Sequence, residues 1–238
     1  MSYLILVRHG QSVWNLEKKF TGWVDVDLTE NGKSEAKKAG GLIKQEKIGV
    51  NLYYSSFQLR AKNTLKIIQE ELQDFKEVKS AWELNERHYG ALTGLNKDEM
   101  KKKFGEEVIH KFRRSWDNPP EPLNRNNPYH PLNIKAYEKV PKEKIPDTES
   151  LKDTYERVIP FYKSNIEDKL LDGKNIIVSA HGNSIRAICK YLFNLDNKNI
   201  TKLEIPTGNP LYIKFDKSLK IMNCSYLDPQ RSKDLIKF

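Results

Sequence analysis

Two histidines, His9 and His181, occur in similar settings far apart in the chain. Each follows a run of mostly apolar residues and precedes a glycine, in the segments LILVRHG and IIVSAHG. A neutral imidazole can attack phosphorus and carry the phosphoryl group covalently, which divides one transfer into two steps. The glycine after each histidine allows the backbone to turn and a ligand to approach closely. The pair predicts phosphoryl-transfer chemistry if both rings reach one crevice.

The arginines indicate where an anion would be held. Only nine are present beside 32 lysines, and six of them stand in or beside short stretches rich in His, Glu, Asn, Tyr or Gly: Arg8, Arg60, Arg87, Arg113, Arg114 and Arg186. The forked guanidinium group suits phosphate and carboxylate oxygens. Phosphoryl transfer mainly requires aligned and neutralised oxygens. We expect that role of Arg8, Asn15, Arg60 and His181.

A proton must also pass to and from the hydroxyl that gives or accepts the phosphoryl group. Glu86, in the segment LNERHYG, is the candidate for this acid and base role. The alternative is an ordinary surface ion pair of Glu86 with Arg87 or a lysine. Arg113 and Arg114 have a similar alternative, a solvated helix face.

A metal site made of His9, His181 and Glu86 is disfavoured. No recognised ligand spacing supports it, and the nearby arginines would repel a cation. We therefore expect no metal. The remaining histidines have no comparable setting and are expected to be structural or surface groups: His88, His110 and His130.

These groups need a scaffold that brings distant segments together. Apolar runs predict strands over Tyr3–Val7, Val50–Ser55 and Asn175–Ala180, alternating with helical patterns. This alternation predicts an α/β fold: an open, mostly parallel sheet with helices on both faces. Ligands of such sheets bind beyond the carboxyl ends of the strands. His9 and His181 would meet there if their strands are neighbours.

Local signals place the other elements. Thr29 is a predicted helix N-cap, Arg60 falls in the first turn of a helix, and Asn96 with Glu99 and Ser150 with Asp153 resemble capping pairs. A further helix is predicted over Val108–Trp116. The segments Leu211–Phe215 and Lys220–Leu227 are predicted to form a hairpin or adjacent edge strands.

The chain length suits one domain over residues 1–238. Seven of the eleven prolines fall between Pro119 and Pro146, which indicates a loop-rich insertion at about residues 96–150. We expect this insertion to cover the site and contact substrate, because a phosphohistidine must be kept from water for transfer to prevail over hydrolysis.

Composition narrows the partners and the compartment. The formal charge of +9 would fit a nucleic-acid-binding protein, but lysines alternate with acids as on solvated faces, so we expect no nucleic-acid partner. No segment approaches the length of a membrane span, and the apolar start is too short for a signal peptide, which predicts a cytoplasmic protein without membrane association. Cys189 and Cys224 are expected to be reduced and buried.

Five segments together resemble the cofactor-dependent phosphoglycerate mutases of the histidine phosphatase superfamily: LVRHGQSVWN, FTGWVDVDLTENG, ELNERHYGALTGLNK, FRRS and SAHGNSIRA. They occur in order, and the match runs from about Leu4 to Leu227. RHG alone indicates only the superfamily, whereas NERHYGALTGLNK, FTGW and IPTGNPL point to the mutase branch. Two departures are Gln11, where relatives commonly carry Glu, and an end at Phe238, short of a longer tail that helps cover the site in relatives.

The resemblance implies a role for each matching residue. His9 would be the phosphorylated nucleophile, Glu86 the proton donor and acceptor, and His181 the stabiliser of the transferring group. Substrate contacts are implied for ten residues: Ser12, Thr21, Gly22, Arg87, Tyr89, Lys97, Arg113, Arg114, Gly182 and Asn183. Family members need no metal, are primed by 2,3-bisphosphoglycerate, and are usually dimers or tetramers.

Three functions are thus carried forward. The leading one is interconversion of 3-phosphoglycerate and 2-phosphoglycerate through a phosphohistidine. The second is a hydrolase of the same superfamily, or an enzyme that mainly makes or degrades 2,3-bisphosphoglycerate. The third, on charge alone, is a basic nucleic-acid-binding protein.

Overall fold

The computed structural model describes residues 1–232. It contains six strands, numbered β1 to β6 in chain order: Ser2–Arg8, Leu52–Ser55, Val78–Ser80, Ile176–Ala180, Leu211–Phe215 and Ile221–Tyr226. They form one sheet in the order β3-β2-β4-β1-β5-β6. The pairs β1–β4, β2–β4 and β2–β3 are parallel, whereas β5 runs antiparallel to both β1 and β6. The predicted α/β fold with a mostly parallel sheet is confirmed.

The α-helices within residues 1–232 are numbered α1 to α9 in chain order: Val13–Leu16, Glu30–Gln45, Leu59–Leu72, Lys97–Phe104, Glu106–Arg114, Leu151–Tyr162, Asp168–Leu171, Gly182–Leu192 and Asn199–Lys202. A π-helical turn, Lys163–Glu167, joins α6 to α7. Short 3₁₀ turns lie at Trp82–Leu84, Gly90–Leu92, Pro131–Asn133, Lys135–Tyr137, Lys142–Lys144 and Pro229–Arg231. None of the helices in this described part of the chain is long and apolar enough to cross a membrane.

The alternating side chains of β1 pack into two separate cores. Leu4 and Leu6 are buried with the apolar faces of α6 and α8, and Ile5 and Val7 are buried with those of α2 and α3. Successive side chains of a strand point to opposite faces of the sheet, so helices cover both faces. Because both faces of β1 are buried, the strand consists of a continuous run of apolar residues.

The register of β1 and β4 sets the position of the two histidines. Arg8 pairs with Ala180, and the backbone N–H of His9 donates to the Ala180 carbonyl at 3.0 Å. His9 and His181 therefore follow neighbouring parallel strands at the same edge of the sheet, as predicted.

Most predicted elements are present, with differences at their ends. Thr29 caps α2, Asn96 caps α4, and Ser150 and Asp153 form the capping box of α6. The second strand begins at Leu52 and not at Val50, and the helix predicted over Val108–Trp116 spans Glu106–Arg114. Gly105 ends α4 with a positive φ of 88°, which lets α5 start directly after it.

One strand was missed, and one expectation needs correction. Strand β3 was not predicted, because its three residues, VKS, are partly or fully exposed and carry no apolar run. Cys224 is only half-buried on the edge strand β6, whereas Cys189 is fully buried as expected; both are free thiols. The chain end discussed above, residues 233–238, lies outside the described residues.

The segment between α5 and α6 consists of turns packed on a small core of its own. Trp23, Tyr137, Val140 and Ile145 are buried together there. The Tyr137 hydroxyl donates to the Trp23 carbonyl, so this segment is tied to the loop that follows α1. Helices α4 and α5 contribute Met100 and Ile109 to a second small core with Phe20 and Leu92.

Candidate active site

The surroundings of the His9 ring fit the nucleophile role predicted for it. It is 2% exposed, and its Nδ1 donates to the Gly10 carbonyl at 2.7 Å. Because a carbonyl can only accept, Nδ1 carries the proton and the lone pair of a neutral ring is on Nε2. Burial, with the Arg60 and Arg8 guanidinium groups nearby, holds the pKa of His9 well below its usual value. The imidazole is therefore neutral at physiological pH.

His181 follows β4 and immediately precedes α8. Its Nε2 lies 2.7 Å from the hydroxyl of Ser56, the residue after β2, and its ring centroid is 5.0 Å from that of His9, with an interplanar angle of 57°. Burial and the positive charge of Arg60 hold the pKa of His181 well below its usual value. The surroundings thus favour a neutral ring that donates or accepts one hydrogen bond over a protonated one.

Glu86 is held between its own loop and the start of α8. The carboxylate is 8% exposed, and its Oε1 accepts from the Arg87 N–H at 2.8 Å, the Asn183 N–H at 3.2 Å and the Asn183 Nδ2 at 2.8 Å. The alternative of a solvated surface ion pair is therefore wrong.

A polar cavity is lined by both His9 and Glu86. Its lining residues are Arg8, His9, Asn15, Thr21, Gly22, Arg60, Glu86, Tyr89, Lys97 and Arg113. A second polar cavity adjoins it, lined by Arg8, Glu86, Tyr89, Arg113, Arg114, Gly182, Asn183, Arg186, Glu204 and Ile205. Cationic side chains outnumber carboxylates in both linings. The combined space suits a small ligand with more than one anionic group.

Two arginines of the first cavity, Arg8 and Arg60, are fixed by backbone carbonyls. Arg60 is buried and donates to the carbonyls of Gly22 at 2.8 Å and Val24 at 2.9 Å. Arg8 donates through Nη1 to the Ile205 carbonyl at 2.8 Å, and its buried Nε has no partner among the described residues. That unused N–H is available to an anion, and both charges are held in place before one arrives.

The middle of the chain supplies the opposite wall. Lys97 begins α4, and Arg113 and Arg114 end α5. Burial, with Arg113 and Arg8 nearby, lowers the pKa of Lys97 from its usual value. Arg114 forms an ion pair with Glu204 at the rim of the second cavity. The solvated-face alternative for Arg113 and Arg114 is therefore wrong.

Three predicted residues do not line the two cavities. His181 lies against His9, as described above. Ser12 is buried and caps α1: its hydroxyl accepts from the Asn15 N–H at 3.3 Å, while Asn15 Oδ1 accepts from the Ser12 N–H at 3.1 Å. Arg87 is buried behind Tyr89, with its guanidinium carbon 4.7 Å from the tyrosine ring centroid. Ser12 and Arg87 thus support residues that do line the cavity.

The glycines that follow His9 and His181 have different surroundings. A Cβ on Gly10 would lie 2.1 Å from the Gly32 carbonyl oxygen, so this glycine allows the loop of His9 to pack against the start of α2. A Cβ on Gly182 would instead point toward the Arg8 guanidinium at 3.7 Å and the Glu86 carboxylate at 3.8 Å. Packing within the fold therefore requires Gly10, whereas a Cβ on Gly182 would make only ordinary contacts with two residues that line the cavity.

Arg186, one of the six arginines singled out from the sequence, lines the second cavity and donates to Asn183 Oδ1 at 3.1 Å, and burial together with Arg114 and Arg87 lowers its pKa to about 9. Sequence reasoning gave no role to two other groups near the site, Ser56 and Glu204. Ser56 was detectable only as the residue after a strand. Glu204 had no signal, since its segment resembles an ordinary loop.

No three His, Cys, Asp or Glu side chains within residues 1–232 are grouped as metal ligands would be. The remaining histidines contact other parts of the fold. His88 and His130 are buried with ring centroids 6.0 Å apart, and His110 is exposed on α5.

A buried neutral histidine, a carboxylate in the same cavity and fixed guanidinium groups are the arrangement expected of a phosphotransfer site. The model of the histidine phosphatase superfamily (branch 1) matches residues 4–130 and 124–223. The chain belongs to this superfamily, and the family resemblance seen in its motifs is confirmed.

Curated relatives refine the family. A 2,3-bisphosphoglycerate-dependent phosphoglycerate mutase of Pelagibacter ubique is 68% identical over 238 residues, covering 100% of both chains. Proteins of the same name from Borreliella burgdorferi and Maricaulis maris are 49% and 46% identical; the alignments cover 95% and 99% of this chain and 92% and 98% of theirs.

Solved structures share the fold. YhfR of Bacillus stearothermophilus superposes with a TM-score of 0.70 at 19% identity, covering 95% of this chain and 96% of its own. A mycobacterial glucosyl-3-phosphoglycerate phosphatase gives 0.67 at 20% identity, with coverage of 94% and 97%.

Proposed function

We propose that this protein is an isomerase that interconverts 3-phosphoglycerate and 2-phosphoglycerate, a step of glycolysis and gluconeogenesis, through a phosphohistidine. The observation that carries the proposal is the placement of His9 and Glu86 in one cation-lined cavity. The names of three relatives, 46% to 68% identical over nearly the whole chain, support the choice of substrate.

Once primed, His9 would give a phosphoryl group in one half of the reaction and take one back in the other. In the first half, the free hydroxyl of the phosphoglycerate attacks the phosphohistidine, the bond from phosphorus to Nε2 breaks, and Glu86 takes the hydroxyl proton. In the second half, Nε2 forms a bond to the phosphorus on the other substrate oxygen, the bond from that phosphorus to oxygen breaks, and Glu86 gives the oxygen a proton. The neutral state of His9 favours the second half, because a protonated ring has no lone pair at Nε2.

The surrounding groups would neutralise and hold the substrate. We propose that Arg8, Asn15, Arg60 and His181 bind the transferring phosphoryl oxygens. We propose that the substrate's carboxylate and remaining phosphate are bound by the other predicted contacts, directly or through support of the cavity wall: Ser12, Thr21, Gly22, Arg87, Tyr89, Lys97, Arg113, Arg114, Gly182 and Asn183.

The cavity also fits 2,3-bisphosphoglycerate, since its cationic lining and the unpartnered Arg8 Nε suit a ligand with several anionic groups. Lys97, Arg113 and Arg114 would hold it together with Arg8 and Arg60. When bound, this cofactor supplies the phosphoryl group that primes His9. We propose that no metal takes part.

Wider properties follow the family. We propose a single domain over residues 1–238, a cytoplasmic location, a homodimer or homotetramer, and neither nucleic-acid nor membrane partners. The insertion at about residues 96–150 would exclude water, which is supported by the position of Lys97, Arg113 and Arg114 on the cavity wall.

An enolase-coupled assay tests the proposal. Conversion of 3-phosphoglycerate should accelerate strongly when 2,3-bisphosphoglycerate is added, and phosphate release should stay a small fraction of 2-phosphoglycerate formation. Phosphate release that exceeds isomerisation under the same conditions would assign the protein to the hydrolases of the superfamily.

A further inference from the structure

A buried ion pair lies behind Glu86, outside both cavities. Arg157 on α6 and Glu149, just before the same helix, have side chains that are 9% and 4% exposed. Arg157 donates through Nε to Glu149 Oε1 at 2.6 Å and through Nη2 to Oε2 at 2.9 Å. Burying two charges is unfavourable unless their other hydrogen-bonding groups are also satisfied. The partners of the remaining Arg157 N–H groups therefore indicate the role of this ion pair.

Those N–H groups bind the backbone that carries Glu86. Arg157 Nη1 donates to the carbonyls of Glu83 at 2.6 Å and Asn85 at 3.0 Å, and Nη2 donates to the Glu86 carbonyl at 3.1 Å. With the two bonds to Glu149, all five N–H groups of the guanidinium are used. Lysine has three donors and no planar fork, so it cannot reproduce this set.

Glu149 binds the same loop on the other side of Glu86. Its Oε2 accepts from the His88 N–H at 2.7 Å. The ion pair thus fixes the residues before and after Glu86, while Asn183 fixes the carboxylate itself. A proton donor must be held within roughly 0.5 Å of its working position.

We propose that Arg157 and Glu149 form a positioning pair that sets where Glu86 delivers its proton. The inference rests on the proposed function, in which Glu86 protonates the leaving oxygen when His9 is phosphorylated. The pair touches neither substrate nor reacting atoms. Its effect should therefore depend on how much the leaving oxygen needs a proton.

Two aryl phosphates of similar size separate that effect from general damage. Transfer from phenyl phosphate to His9 releases a basic phenolate that benefits from protonation. Transfer from 4-nitrophenyl phosphate releases a stabilised anion that hardly needs it. In both, the bond from phosphorus to the aryl oxygen breaks as the bond to Nε2 forms, and only the fate of the proton differs.

The first variant, Arg157→Lys, keeps the positive charge but loses the forked guanidinium group. The second, Glu149→Asp, keeps the carboxylate on a shorter side chain. The matched control is Arg125→Lys, because Arg125 also forms a two-bond pair with a carboxylate, Asp147, at 2.9 and 3.1 Å, but is exposed and contacts no backbone near Glu86. Single-turnover phosphorylation of His9 is measured with each phosphate, and thermal unfolding monitors the fold.

In both variants, phosphorylation of His9 should be roughly 10- to 100-fold slower with phenyl phosphate. With 4-nitrophenyl phosphate it should be less than about threefold slower. The control variant should react with both phosphates at the rate of the unaltered protein. Equal losses with both phosphates, or no loss in either folded variant, would overturn the proposal. If Arg157→Lys does not fold, Glu149→Asp decides. Failure of the unaltered protein to form phosphohistidine from 2,3-bisphosphoglycerate would instead reject the proposed function.

Discussion

His9 and His181 lie with ring centroids 5.0 Å apart at the ends of two adjacent parallel strands. Burial and the charges of Arg8 and Arg60 oppose protonation of either ring. The same guanidinium groups would stabilise a phosphoryl group on His9. In the proposed function, one set of fixed charges therefore keeps His9 neutral and would bind the group that it receives.

Replacing Glu86 with Gln should slow isomerisation by roughly 10²- to 10⁴-fold. The amide keeps the size of the side chain but cannot supply or take the proton. Slow phosphorylation of His9 by 2,3-bisphosphoglycerate should persist. Coupled turnover and single-turnover assays measure the two effects, with the exposed Glu107→Gln as control; ordinary turnover in Glu86→Gln would remove Glu86 from its role.

Replacing Lys97 with Met should raise KM for 3-phosphoglycerate by roughly 10- to 100-fold, because a charged hydrogen bond to the substrate is lost. Lys101→Met is the control, since Lys101 lies on the same helix but pairs with Glu106 at 2.9 Å and does not line either cavity. Steady-state kinetics of both variants make the comparison. Equal KM values would show that Lys97 does not bind substrate.

Replacing Gly10 with Ala should destabilise the protein by about 2 kcal/mol or more, because the new Cβ would meet the Gly32 carbonyl oxygen at 2.1 Å. Gly41→Ala is a control on α2, where a Cβ meets nothing within 4 Å. It should stabilise the helix by up to about 1 kcal/mol. Urea unfolding of both variants decides, and a neutral effect of Gly10→Ala would contradict the packing argument.

Stability should fall as the pH drops below about 6.5. Burial, with His130 and Arg157 nearby, lowers the pKa of His88 to about 3, and the pKa values of His9 and His181 are also lowered. Unfolded histidines bind protons in this range and these folded ones do not, so acid favours unfolding. At pH 5 His88 alone costs about 2 kcal/mol relative to neutral pH.

His88→Asn tests this contribution, because Asn can still accept from the Gly90 N–H that Nδ1 binds at 2.9 Å. Urea unfolding at pH 5 and pH 7 should show a smaller acid loss in the variant. The same loss as in the parent protein would assign the acid sensitivity to other groups.

The main sheet and the candidate nucleophile His9 could be predicted because the sequence patterns that indicate them are local. Apolar runs end at His9 and His181, and the parallel pairing of their strands follows from the alternation of strands and helices. The cap residues Thr29 and Ser150 were likewise readable, since capping depends on residues three positions apart.

The missed features depend on distant contacts. Arg157 lies within the amphipathic pattern of α6 and binds Glu86 only through the fold, 71 residues apart. Nothing in the sequence around Gly10 indicates that Gly32 packs against it, and only the structure shows this contact. Strand β3 exists because β2 offers an edge to pair with, since its own residues carry no apolar pattern.

The central claim is that His9 Nε2 carries the phosphoryl group. The most direct measurement is rapid quenching of the enzyme with 2,3-bisphosphoglycerate labelled in phosphate, followed by site mapping of the acid-labile label, with His9→Ala in parallel. We predict label on His9 at a level that is lost on addition of 3-phosphoglycerate, and none in His9→Ala. An active enzyme without label on His9, or one whose label survives His9→Ala, would contradict the account.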